Sequence, residues 1–395
     1  MKRMRDRETP FYLYSKQAIQ TNTARLNKLF SSCNADIFYA VKANTAIAVL
    51  HTIFKAGLGA EVVSPGELYI AIKAGFKPGR ILYNNIARRE EDIIYALGKG
   101  VRSFNFEALD QAEILEYCAK KKGKKIQLFA RINPGIFPDT HPHLSTGAPS
   151  SKFGLDASQC RAIVRTVRAF GNAQMVGIHS HIGSQILTPK PFVRNAYKVG
   201  ELVEFFQEHG ITIQAVNLGG GFGIPYQPGE IPLDYRPIVR AYRALHRTYN
   251  VKIMLEPGRS VVGNAGYVLT RVISVKRRGK RHLYIVDAGM TENPRPALYG
   301  AYHHIDTLLP HKGPLHRARV AGPLCENSDE FGIYALPVLS RGEVLLIHNC
   351  GAYTRTMASN YNGRLLPAEY MYERGRFIMI RKAQQFKTLL RNEIY

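Results

Sequence analysis

The chain of 395 residues has no tryptophan, only five cysteines, and far fewer acidic than basic side chains: 30 Asp and Glu against 54 Lys and Arg. Each shortage excludes something. Cys33, Cys118, Cys160, Cys325 and Cys350 are scattered, odd in number and without paired metal-ligand spacing, which suits reduced thiols and a cytoplasmic setting. No apolar run is long enough to span a bilayer, and the basic stretch Met1–Pro10 lacks the apolar segment of a secretory signal, so no membrane association is expected. With no tryptophan and no dense aromatic stripe for base stacking, the formal charge of +24 does not by itself designate a nucleic acid partner. The basic clusters Lys2–Arg7, Lys120–Lys125 and Lys276–Arg281 read as solvated loops, with a salt-dependent affinity for polyanions as the alternative.

What is present is a regular alternation. At 45% hydrophobic residues the chain can bury a full core and form two domains. Short β-branched runs occur at Asp36–Val41, Leu58–Ser64, Arg80–Asn84, Val101–Asn105, Ile126–Ile132, Gln174–Ile182, Ile213–Leu218 and Val251–Glu256, with longer amphipathic stretches between them. The clearest of these is Pro191–Glu208, where Phe192, Ala196, Val199, Val203 and Phe206 recur at helical spacing before Gly210. Eight strand–helix alternations predict an α/β fold, a (β/α)8 TIM-type barrel over residues 26–264, with an open doubly wound sheet as the competing reading. Beyond it, Val268–Val275, His282–Val286, Arg317–Ala321, Val344–Ile347 and Tyr370–Arg381 lack long helices between them. They predict a mostly β domain over residues 265–395, which residues 1–25 join through Phe11–Tyr14. Glu373–Arg376 reads as a hairpin turn.

In such a barrel, chemistry belongs at the C-terminal strand ends. Those ends carry Lys42, Glu61, Asn84, Asn105, Arg131, His181, Gly219–Gly221 and the Glu256-Pro-Gly-Arg259 segment. Lys42 closes the run Phe38–Val41; a desolvated stem with a reachable tip lowers a lysine pKa and leaves the amine nucleophilic toward a carbonyl. A snorkelling lysine at a strand end is the bland alternative. Gly219-Gly220-Gly221-Phe222-Gly223 follows a strand and suits a phosphate cradle for a small cofactor, since it has neither dinucleotide nor Walker spacing. His179 and His181 share a face. His179 reads as a core histidine, His181 as able to stack on an aromatic cofactor, with Ser184 donating to a phosphate; a metal pair is the other possibility, without an obvious third ligand. Glu256 can bond a pyridine nitrogen, or simply pair with Arg259. Cys325, between a Gly-Pro turn and Glu326, reads as an exposed thiol rather than a core one.

Taken in order, Tyr39-Ala-Val-Lys-Ala-Asn44, His181-Ile-Gly-Ser-Gln185, Asn217–Ile224, Glu256-Pro-Gly-Arg259, Asp287-Ala-Gly-Met290, Arg295-Pro-Ala-Leu-Tyr299, Gly322-Pro-Leu-Cys-Glu326 and Met357–Asn362 resemble the diaminopimelate decarboxylases, of alanine-racemase-like fold. His141–Gly147 with Lys152-Phe-Gly154 resembles that group's active-site loop. The resemblance covers nearly the whole chain. It implies pyridoxal 5′-phosphate as cofactor and a homodimer with shared active sites. It makes Lys42 the residue bonded to the cofactor aldehyde and His181 the one stacked on the ring, with Glu256 on the pyridine nitrogen. Glu61, Arg131, Ser184, Gly219, Gly220, Gly221, Gly258 and Arg259 would surround the cofactor, Arg259 also meeting substrate. Arg295 and Tyr299 would grip the distal carboxylate, Glu326 the distal amine, and Tyr353 both cofactor and substrate. Cys325 would return a proton to the substrate carbon, reaching in with Glu326 from the partner subunit.

The implied reaction is decarboxylation of meso-2,6-diaminopimelate to L-lysine. Ornithine or arginine decarboxylation on the same scaffold is the alternative, and the arginines disfavour a cationic side chain there. A carrier without turnover and a metal-dependent hydrolase built on His179 and His181 are the remaining readings. Two departures stand out: Asn349-Cys350, where relatives carry an acidic and a small residue, and a proline in Ser64-Pro-Gly-Glu67.

Overall fold

The computed structural model describes residues 4, 6–137, 147, 151–279, 281–311 and 313–394. The stretch His141–Thr146 singled out above lies outside the described residues. Two compact units are present, one comprising Gln20–Ile224 and Ile231–Val261, the other Met1–Ile19, Pro225–Glu230 and Val262–Tyr395.

Strand β1 (Phe11–Ser15) belongs to the second unit. In the first, β2 (Ala35–Ala40), β3 (Gly59–Val62), β4 (Ile81–Tyr83), β5 (Ser103–Phe106), β6 (Ile126–Arg131), β7 (Ala173–His179), β8 (Ala215–Asn217) and β9 (Lys252–Leu255) close into a parallel barrel, β9 pairing with β2. All eight coincide with apolar runs, and closure settles the choice against an open sheet. Phe38, Leu82, Phe129 and Ala215 come from alternate strands and pack with Val176 and Met254 in one cluster that fills the barrel. Glycines make room for the rings: a Cβ on Gly59 would strike Phe38, and one on Gly177 would strike Phe129. The helix Lys190–Glu208 buries Phe192, Ala196, Val199, Val203 and Phe206, the residues whose spacing predicts it. After His209, Gly210 takes a positive φ of 72° and ends it.

The second unit is a nine-stranded sheet in the order β14-β13-β11-β10-β1-β16-β17, with β15 paired to β10 and β12. Its further strands are β10 (Gly266–Arg278), β11 (Arg281–Val286), β12 (Ile305–Thr307), β13 (His316–Ala321), β14 (Glu330–Leu336), β15 (Val344–Ile347), β16 (Ala368–Glu373) and β17 (Arg376–Arg381). β1 lies between β10, antiparallel, and β16, parallel. Phe11, Leu13, Leu269, Leu308, Val344 and Tyr370 form a core cluster of this unit. Lys276–Arg278 and Arg281 are strand residues of β10 and β11, not loop residues as their charge suggested. Lys120–Lys125 is exposed and spans a helix end and the turn after it.

Candidate active site

The barrel strand ends bring together most of the residues predicted there. Lys42 sits in a single turn of 3₁₀ helix, Val41–Ala43, directly after β2, rather than in open loop. Its stem is partly covered, and its Nζ lies 2.7 Å from Glu61 Oε2. The Lys42 side chain is 41% exposed and that of Glu61 1%, so the amine has a wet side and a buried carboxylate on the other. Glu61 projects from β3; its Oε1 accepts from Asn84 Nδ2 at 3.2 Å, just past β4. The same amide donates to Glu256 Oε1 at 3.0 Å, so one asparagine joins the two carboxylates. Glu256, just past β9, also accepts from Asn217 Nδ2 at 2.7 Å and lies 3.4 Å from His179 Nε2.

Burial alone would raise the Glu256 carboxyl, but His179, Lys42 and the Asn217 amide outweigh it and hold the group well below the ordinary carboxylate range. Glu256 is therefore an anion at neutral pH. His181 is the reverse. Burial first, then the nearby Arg131 and Lys42 charges, push its imidazole down to about 3, so the ring is neutral. Its Nδ1 accepts the Gly220 N–H at 3.2 Å.

The glycine run is demanded by close backbone approach. A Cβ on Gly220 would strike the Glu256 carbonyl, and one on Gly221, whose φ is 92°, would strike the Gly183 carbonyl. Gly219 N–H donates to Asn217 Oδ1 at 3.0 Å. Arg259 is buried and donates to Ser184 Oγ at 3.3 Å, with Gly258 buried beside it. Arg131, at the end of β6, donates to Glu107 Oε2 at 3.0 Å and lies 4.6 Å from the Phe153 ring centre. Asn84, Asn217, His179 and Glu107 are thus joined to this cluster by hydrogen bonds or ion pairs. Asn84 was legible only as a polar strand end, and His179 as a core residue.

The other candidates lie in the second unit. Arg295 is buried, its Nη1 2.7 Å from His303 Nε2, and its guanidinium stacks over Tyr226 with 4.5 Å to the ring centre. Tyr299 closes the same helical turn, Arg295–Tyr299. Cys325 is exposed, as is Glu326, whose Oε1 accepts from Tyr361 Oη at 2.8 Å. Tyr353 holds a left-handed φ of 56°, a conformation that bulky side chains rarely adopt.

Both departures have local explanations. Pro65 is the first residue of the helix Pro65–Ala74, a position that needs no N–H, and Ser64 caps that helix by accepting the Glu67 N–H. Asn349 takes a φ of 57° and donates to the Pro225 carbonyl, while burial pushes the Cys350 thiol up to about 12.

A primary amine, a buried anion, a neutral imidazole, and a buried arginine with a hydroxyl beside a glycine run match, group for group, an aldehyde, a protonated pyridine nitrogen, an aromatic face and a phosphate. The family model for the pyridoxal-binding domain of pyridoxal-dependent decarboxylases matches residues 16–263. The barrel is that of a pyridoxal-dependent decarboxylase, with pyridoxal 5′-phosphate as cofactor. The chain is 37% identical over 383 residues to the diaminopimelate decarboxylase of Aquifex aeolicus, covering 97% of this chain and 91% of that one. It is 38% identical over 397 residues to that of Methanothermobacter thermautotrophicus, covering 98% and 91%. The crystal structure of the Helicobacter pylori diaminopimelate decarboxylase complexed with L-lysine superposes with a TM-score of 0.93 at 32% identity, covering 99% of this chain and 98% of that one. The chain belongs to the diaminopimelate decarboxylase family.

Proposed function

We propose that this protein removes one carboxylate of meso-2,6-diaminopimelate and releases L-lysine and CO2, the last step of lysine biosynthesis. The observation that carries the reading is the hydrogen-bonded line from the Lys42 amine through Glu61 and Asn84 to the charged Glu256. Lys42 Nζ holds the cofactor's aldehyde carbon, and Glu61, 2.7 Å away, takes and returns the amine's proton. Glu256, kept anionic, holds a proton on the pyridine nitrogen. His181, neutral, lies against the ring without adding charge. Ser184, Arg259 and the backbone of Gly219–Gly221 take the phosphate, with Arg131 and Gly258 supporting. Pyridoxal phosphate, when bound, supplies the electron sink for the pair left by departing CO2.

The Cys325 thiol delivers a proton to the substrate carbon. Arg295 and Tyr299 grip the distal carboxylate and Glu326 the distal amine, while Tyr353 meets cofactor and substrate. Cys325 and Glu326 are exposed within their own chain, which supports a homodimer in which they serve the partner's site. Among the described residues no helix is long and apolar enough to cross a membrane, in keeping with the proposed cytoplasmic location. Incubating the purified protein with pyridoxal phosphate and meso-diaminopimelate, alongside ornithine, lysine and arginine, tests the assignment. Lysine and CO2 should form from diaminopimelate. Turnover confined to ornithine or arginine transfers the chain to the alternative, and no turnover despite bound cofactor makes it a carrier.

A further inference from the structure

Away from the barrel, the β sheet of the second unit gathers three metal-ligating side chains on one face. β12 and β15 run antiparallel with Ile305 opposite Ile347. One residue further, the His348 N–H donates to the His304 carbonyl at 2.8 Å, which sets the two histidines opposite each other. Side chains alternate faces along a strand, so Asp306, two residues on from His304, shares their side. One ligand atom from each of His304, Asp306 and His348 lies within 4.8 Å of the other two. The imidazole ring centres are 5.2 Å apart.

A second observation points to a ligand. Among the described residues, His348 Nε2 is buried with no hydrogen-bond partner, an arrangement folded proteins avoid because a desolvated ring nitrogen is expensive to leave unsatisfied. Tyr267 packs edge-on against His348 with ring centres 5.3 Å apart, and the Tyr302 hydroxyl lies 3.4 Å from His304 Nδ1, so both rings are supported from behind. The Thr307 N–H donates to Asp306 Oδ1 at 2.9 Å, fixing that carboxylate from one side.

The geometry points to a binding site for one divalent transition-metal ion of the zinc type, held by His304, Asp306 and His348, with water completing its coordination. Two imidazoles and one carboxylate select zinc, cobalt, nickel or copper over magnesium or calcium, which require oxygen ligands. The ion has no part in decarboxylation. It clips the three-residue β12 to β15.

Zinc chloride titrated into chelator-washed holoenzyme tests this, with bound metal read by elemental mass spectrometry after dialysis. The expected result is one zinc per chain at micromolar free zinc, together with a higher thermal midpoint. Losing an inner ligand is at least as costly as losing an outer partner, which costs about 10–100-fold, so His304→Ala and His348→Ala should each weaken binding by roughly 100-fold. Asp306→Asn should weaken it less. His311→Ala, which removes an exposed histidine paired with Glu343, should leave binding unchanged. Absence of stoichiometric zinc, or binding that survives both histidine substitutions, overturns the proposal. Should those variants fail to fold, the wild-type protein still decides: zinc must protect His304 and His348 from diethyl pyrocarbonate in peptide maps, and unprotected histidines refute the site.

Discussion

Glu67 offers a quantitative test of the electrostatics around Lys42. The residue lies in the first turn of the helix Pro65–Ala74, and its Oε2 accepts the Val63 N–H at 2.9 Å. Burial, and then the nearby Glu61 charge, raise its carboxyl from 4.5 to about 7, against smaller opposing effects of the Val63 N–H and Lys42. The folded state therefore binds a proton between pH 4.5 and about 7 that the unfolded chain does not. Stability falls as pH rises through that window and levels off above it, by about 3 kcal/mol at 1.36 kcal/mol per pH unit. Glu67→Gln keeps an oxygen for the Val63 N–H and cannot ionise. It should match wild type at pH 4.5 and be more stable at pH 8 by about 2–3 kcal/mol, since the Val63 bond to a charged acceptor is lost. Denaturant unfolding of holoenzyme and variant at both pH values reads the difference; at about 2–4 °C per kcal/mol it should also raise the barrel's thermal midpoint by several degrees at pH 8. An equal difference at the two pH values would refute the reasoning, because no proton would then distinguish folded from unfolded Glu67.

Lys42→Ala should lower kcat by about 10³-fold or more, roughly 4 kcal/mol of barrier, and abolish covalent attachment of the cofactor. Cys325→Ala removes the proposed acid and should cut kcat by about 10²–10⁴-fold with cofactor still bound; an unchanged rate assigns the proton to another group. Arg295→Ala should raise KM for diaminopimelate by about 10–100-fold through loss of a charge-assisted contact, and an unaltered KM undoes the carboxylate clamp. If sites are shared, mixing the inactive Lys42→Ala and Cys325→Ala proteins under exchange should restore about a quarter of wild-type activity, since half the dimers are hybrids with one intact site. No recovery on mixing means that Lys42 and Cys325 serve a site within one chain.

The barrel strands were legible because each is an apolar run that stops at a polar residue, and Lys42, Glu61, Arg131 and Glu256 were found by reading those stops. What escaped is pairwise. Asn84 and Glu256 are 172 residues apart, and nothing in either segment reports that one amide joins two carboxylates. Glu107 was passed over because its partner Arg131 lies on the next strand. In the second unit, β12 has three residues and no pattern to detect. β14 conceals its alternation, since Ile333 is 54% exposed among buried Phe331, Tyr334 and Leu336. Charge misled at Lys276 and Arg277, which are exposed but lie within a long strand rather than in a loop.

The most direct test is chemical. Borohydride added to the yellow holoenzyme should bleach it and fix a pyridoxyl group on one peptide, at Lys42 Nζ, with loss of lysine formation from diaminopimelate. A pyridoxyl group found on any other lysine, or full activity after Lys42 has been reduced, would contradict the account.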